Sequence, residues 1–158
     1  MVELAHGLAP DALPPLASLR VVEEEDGGLR FGYGSERLFD TPCAVARVFR
    51  SATPSRRLVL SALDSTDPLG APLSYHWRIL RGDPEKISIR PQRADGAIVE
   101  IEIDHHGRLP TEPGSPIEST RVDIGLFVES GDRLSAPAFF TTLFLENETR
   151  VHGPGGRL

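Results

Sequence analysis

Residues 57–79 read RLVLSALDSTDPLGAPLSYHWRI, and the period of this stretch decides the fold. Leu58, Leu60 and Ala62 alternate with Val59, Ser61 and Leu63; beyond the turn, Leu73, Tyr75, Trp77 and Ile79 alternate with Ser74, His76, Arg78 and Leu80. Successive side chains of an extended backbone point to opposite faces, so a period of two predicts half-buried strands rather than helices. Between the two runs lies Asp64-Ser65-Thr66-Asp67-Pro68-Leu69-Gly70. Its polar side chains bond their own backbone, and its glycine is free to take positive φ, so it predicts a tight turn. The unit is strand, acidic turn, strand, with Trp77 on the inward face of the second strand.

The same signal recurs on either side. Residues 43–49 predict a strand, with Ala44, Ala46 and Val48 on one side and Val45, Arg47 and Phe49 on the other. Ile87 and Ile89 form a short strand after the turn at 81–84, and residues 98–103 form another with Glu100 and Glu102 turned outward. Val122, Ile124, Leu126 and Val128 are four inward positions, and Ser130-Gly131-Asp132 closes a hairpin behind them. Residues 138–145 are the last strand. Residues 1–25 form a loose lead-in interrupted by Pro10, Pro14 and Pro15. The acidic run at 23–26 with Gly27-Gly28 predicts a hairpin joining 19–22 to 29–33. Residues 104–120 carry too many prolines for a helix and are too polar for a core, which makes them a loop; the tail from Val151 frays.

Strands roughly ten residues apart, with no amphipathic helix between them, predict an all-β, immunoglobulin-like antiparallel β-sandwich with an N-terminal extension. Residues 1–56 are the extension, partly β and able to pack on the sandwich; 57–148 are the sandwich, and 149–158 a flexible tail. Two facing sheets stand ~10 Å apart. Trp77, the single tryptophan, is the residue expected to fill that gap, with Tyr75, Leu60, Ile124 and Leu126 as its structural companions.

Composition narrows the function classes. The chain has 158 residues, enough for one domain with a substantial extension, and 39% hydrophobic residues suffice for a core. Gly and Pro make up 29 of 158 residues, 15 and 14 respectively, or about 18%. That exceeds the usual ~12% and favours turns. A net charge of −6 repels a phosphate backbone, which argues against nucleic acid. Cys43 is the one cysteine. It makes no internal disulfide, excludes a thiolate zinc site, and reads as a small buried apolar residue. No segment reaches the ~20 apolar residues of a membrane span. Residues 1–22 lack a basic start and carry Glu3 and Asp11, so they are not read as a signal peptide. The chain is expected to be either cytoplasmic or a piece of a longer exported protein.

Candidate chemistry is sparse. Asp64 and Asp67, with Asp132 approaching from another loop, are the best calcium ligands, since hard cations take several carboxylate and carbonyl oxygens. No other cofactor is expected. Tyr33, flanked by Gly32 and Gly34, is the leading member of a sugar-stacking platform. Glu100 and Glu102 share a strand face, the placement of an acid–base pair if it were sunk in a cleft; opposite so apolar a face, they are read as solvated. His105 and His106 are adjacent, so on a strand they point apart and do not chelate one ion together. The chain has no nucleophile elbow, phosphate loop or dinucleotide fingerprint.

The residues from 57 to 146 resemble a PKD-type domain (the polycystic-kidney-disease repeat). The resemblance is carried by the turn Asp67-Pro68-Leu69-Gly70, by Leu73-Ser74-Tyr75-His76-Trp77, and by the run 122–131 with Leu134-Ser135-Ala136 after it. It departs at Leu69, where such domains often carry a second acidic residue, and in the long loop at 104–120. What the resemblance implies is a non-catalytic immunoglobulin-like module of a larger exported protein, extracellular or periplasmic. It would act as a spacer or as an accessory protein- or carbohydrate-binding domain, with neighbouring domains, a polysaccharide or a protein surface as partners. The high Arg, Gly and Pro usage is in keeping with a bacterial source. The alternatives are an independent carbohydrate-binding module and the C-terminal fragment of a polysaccharide- or peptide-degrading hydrolase.

Overall fold

In the computed structural model, which describes residues 9–24, 34–50 and 53–145, the chain is all-β. The strands are β1 (Arg20–Glu24), β2 (Gly34–Thr41), β3 (Ala44–Arg50), β4 (Ser55–Ser61), β5 (Ser74–Arg81), β6 (Ile87–Pro91) and β7 (Ile98–Asp104). They continue with the short β8 (Leu109–Pro110) and β9 (Glu118–Ser119), the long β10 (Arg121–Ser130), the short β11 (Arg133–Leu134) and β12 (Ala138–Phe144). Two single 3-10 turns, Pro10–Ala12 and Pro84–Lys86, are the helical pieces among the described residues, and neither is long enough to cross a membrane.

One sheet has the order β1-β4-β7-β6, antiparallel throughout. In the other, β10 pairs with β5, β11 and β12; β12 pairs in parallel with β3, and β3 antiparallel with β2. The inward faces of the two sheets share one apolar cluster, which includes Leu58 and Leu60 of β4, Ile101 and Ile103 of β7, Ile124 and Leu126 of β10, and Phe140 of β12. Val122, Ile124, Leu126 and Val128 are each 0% exposed, as their two-residue spacing predicts. Burial of each such side chain contributes on the order of 1.5–3 kcal/mol, set against the entropy of ordering it. The architecture is consistent with an immunoglobulin-like β-sandwich.

The segment before residue 57 is woven into this body. β1 adds a strand to the four-stranded sheet and β3 adds one to the larger sheet, while β4 itself begins at Ser55. The turn and second strand of the hairpin expected to join 19–22 to 29–33 lie outside the described residues; of the described strands on either side, β1 bonds to β4 and β2 to β3, in different sheets. The loop at 104–120 carries a two-stranded ladder of its own, β8 with β9.

Trp77 occupies a different place from the one its periodicity suggests. β5 is an edge strand, paired only with β10 among the described residues. The indole is half-buried there and packs against the core from the side, as Tyr75 does. Its Nε1 donates to the carbonyl oxygen of Gly96 at 3.0 Å. Gly96 has φ of 75° and sits in the turn between β6 and β7. The indole therefore ties the edge of the larger sheet to a turn of the smaller one, while aliphatic side chains and Phe140 fill the centre.

Candidate functional site

Two inward-facing positions in the strand pattern hold arginine. Arg47 follows the face of Val45 and Phe49 on β3, and Arg56 follows the face of Leu58 and Leu60 on β4. Each is 1% exposed, and they are the two largest fully buried side chains. A buried guanidinium needs acceptors for its fixed fork of donors, and the neighbouring strands supply them. Glu24, at the end of β1, takes both: its Oε2 accepts from Arg47 Nε at 3.1 Å, and its Oε1 accepts from Arg56 Nη2. Arg47 also donates to Asp40 Oδ2 at 2.8 Å and to the Phe39 carbonyl at 3.2 Å, both on β2. Arg56 donates to Thr142 Oγ1 on β12 at 3.0 Å and to Ser35 Oγ at 2.6 Å, and its guanidinium lies over the Phe49 ring, 5.2 Å from the centroid.

The electrostatics follow from this packing. Burial works to raise the Glu24 carboxyl, but the Ser35 hydroxyl and the two guanidiniums outweigh it and hold the group below its ordinary value of 4.5. Burial pulls the Arg56 guanidinium down to about 10, partly offset by Glu24. Both ions remain charged at neutral pH. Beside them, Phe49 and Phe144 meet edge to face at 5.5 Å, and the rings of His105 and His106 pack on Phe144 at 5.2 and 5.5 Å. The two histidines therefore cap the aromatic end of the core. The cluster joins β1, β2, β3, β4 and β12; most of its donors are met by the chain's own acceptors, while Arg56 Nε is buried without a hydrogen-bond partner among the described residues.

The sequence-derived candidates are held apart. Asp67 is buried; its Oδ2 accepts from the amides of Leu69 and Ala71 at 2.9 and 3.1 Å, and its Oδ1 pairs with Arg133 at 2.9 Å. Burial tends to raise its carboxyl, yet the two amides, Ser130 and Arg133 together hold it below the usual aspartate value. Asp64 is exposed and pairs with Arg20 at 3.1 Å, while Asp132 sits exposed in the turn between β10 and β11. Among the described residues no three His, Cys, Asp or Glu side chains are grouped to hold a metal ion. Tyr33 lies outside the described residues. Glu100 and Glu102 do point outward, where Arg57 holds Glu100 at 2.7 Å and Arg90 holds Glu102 at 3.0 Å. Cys43 is exposed rather than buried, because it falls in the two-residue turn between β2 and β3.

The outer faces of the two sheets differ in kind. Over β4, β7 and β6 the outward side chains are Arg57, Glu100, Glu102 and Arg90, linked into ion pairs. Over β5, β10, β12, β3 and β2 apolar and polar side chains are mixed. Phe39 is 48% exposed, Leu80 47% and Phe139 38%, and Ala44, Ala46, Val48 and Leu143 lie between or beside them in the ladder. A polar knot interrupts this face: Asp123 accepts from Thr141 at 2.6 Å and from Arg121 at 2.7 Å. No family model and no curated protein matches the chain.

Proposed function

We propose that the chain is a non-catalytic, PKD-type immunoglobulin-like module of a larger exported protein, serving as a spacer or an accessory binding domain beside its neighbours. The carrying observation is the fate of the carboxylates. Glu100 and Glu102, spaced to serve as acid and base, are neutralised by Arg57 and Arg90 on an open sheet face. Asp67 caps its own turn and pairs with Arg133. Such pairing favours the folded body and leaves these groups engaged rather than poised for proton transfer. A carbohydrate-binding role is the second reading, favoured by the exposed rings of Phe39 and Phe139 on one sheet face.

The test is an activity and retention assay on the purified chain. Incubation with polysaccharides and with peptide substrates is expected to release neither reducing ends nor new amines. Turnover that disappears in Glu100→Gln would overturn the reading. Retardation in a polysaccharide-containing gel, lost in Phe139→Ala, would decide for carbohydrate binding.

A further inference from the structure

We infer that the polar knot on the outer face of the larger sheet is a carboxylate-binding subsite, and that its ligand is an acidic glycan whose sugar ring lies on Phe139. The inference rests on the carbohydrate-binding reading above and adds the charge of the ligand. The side chains of this face stand in rows across the ladder. One row runs Arg78, Gly125, Phe139, Ala44; the next runs Arg81, Asp123, Thr141, Ala46, Phe39. Arg121 lies two residues from Asp123 on the same face of β10. Asp123 and Thr141 are each 8% exposed, so the knot is rooted in the sheet rather than spread over it. Arg121 donates to Asp123 through Nε at 2.7 Å, and Arg81 faces the other oxygen through Nε at 3.7 Å. Contact through Nε leaves the Nη groups of both side chains without a partner among the described residues.

Charge and shape name the ligand. Two guanidiniums share one carboxylate here, and Arg78 adds a third, bonded to the carbonyl oxygen of Trp77 at 3.1 Å and to no acidic side chain among the described residues. Glu129, farther along β10, is paired with His76 at 2.7 Å. This flank therefore holds surplus positive charge on a chain whose net charge is −6. The planar fork of a guanidinium matches the two oxygens of a carboxylate. In the neighbouring row the exposed Phe139 ring offers an apolar face to the C–H face of a pyranose. The short side chains of Ala44 and Ala46 floor the space between Phe139 and Phe39, two strand spacings or ~10 Å across. Duplex nucleic acid, with a charge every ~1.7 Å, is opposed by the acidic remainder of the chain. A glycan spaces its carboxylates by whole sugar rings.

The experiment is affinity electrophoresis of the full chain through gels containing polygalacturonate, alginate, methyl-esterified polygalacturonate or polyglutamate. The expected result is retardation by a polyuronate, relieved by salt, and far less by the methyl ester, in which the same sugar has lost its charge. Arg81→Gln is expected to weaken retention at least ~10-fold. Its contact with Asp123 is long, so its loss leaves the knot in place. Arg78→Gln carries the same test if Arg81→Gln fails to fold. Arg90→Gln, the same change of charge on the opposite face, should leave retention unchanged. Equal retardation by the methyl ester overturns the inference while the carbohydrate-binding reading stands; retardation by none of the three polysaccharides overturns both. Polyglutamate held as tightly as the polyuronates overturns the inference too, and so does retention that folded Arg81→Gln and Arg78→Gln leave intact.

Discussion

Midway along the sandwich the gap between the sheets is closed by Leu60, Ile101, Ile124 and Leu126; at the end nearest β1 the same gap holds Arg47 and Arg56. β4 contributes to both regions, and Arg56 lies only two residues from Leu58 on one of its faces. The difference lies in how each region responds to loss. Apolar packing is distributed, so a shortened side chain leaves a cavity whose cost depends on local collapse. The charged end depends on matching, since removing one partner strands a buried ion beside its former counterpart.

The sharpest way to break the comparison is Glu24→Ala. It removes the carboxylate that both guanidiniums share and leaves two cations facing each other, which is expected to cost about 3–5 kcal/mol in urea denaturation. Replacing Glu24, Arg47 and Arg56 together with apolar residues of similar volume should recover that loss or exceed it, because the desolvation cost vanishes with the charges. A Glu24→Ala chain as stable as the parent would mean that the cluster is not matched in the way its geometry implies.

Acid exposes the same end more gently, because protonation leaves the hydrogen-bonding group in place. The Glu24 carboxyl has a lowered value in the fold, as does Asp67. For a depressed carboxylate the stabilisation is complete above the unfolded value, near 4.5 for Glu24, and is lost as pH falls through the lower folded value. Denaturation midpoints should hold steady from neutrality to about pH 5 and then decline. Glu24→Gln should flatten that decline and leave the part due to Asp67 and to Asp95, whose carboxyl the Ala97 amide also holds low.

The smallest effect belongs to the edge. Trp77→Phe keeps a ring against the core but removes the bond from Nε1 to the Gly96 carbonyl, a loss of about 1 kcal/mol. Amide exchange should quicken in the turn around Gly96 before it changes in β10, which would show that the indole fastens a margin rather than the centre.

What the sequence discloses tracks the purity of its alternation. β4 beyond Arg57, β7 and β10 carry unbroken apolar positions every second residue, and all three form as expected. β2 has no such pattern, because it is an edge strand whose pairing slips between Arg37 and Phe39. Trp77 lies on the face that alternation assigns it, but alternation gives a face and says nothing about whether a strand is central or marginal. The buried cluster was legible in principle: Arg47 shares parity with Val45 and Phe49, and Arg56 with Leu58. It is overlooked because arginine is so seldom fully buried that an inward arginine reads as an irregularity. Glu24, on a different strand, is joined to both only by the tertiary fold.

β3 and β12 lie side by side and run in the same direction over six paired residues, from Ala44 beside Phe139 to Phe49 beside Phe144. Tension drawn from the chain ahead of β3 and from the chain beyond β12 would pull these two strands past one another lengthwise. Their evenly spaced ladder bonds then share the load at once instead of opening in turn like a zip. Mechanical rupture of the body should accordingly be abrupt, with its resistance concentrated in this one seam.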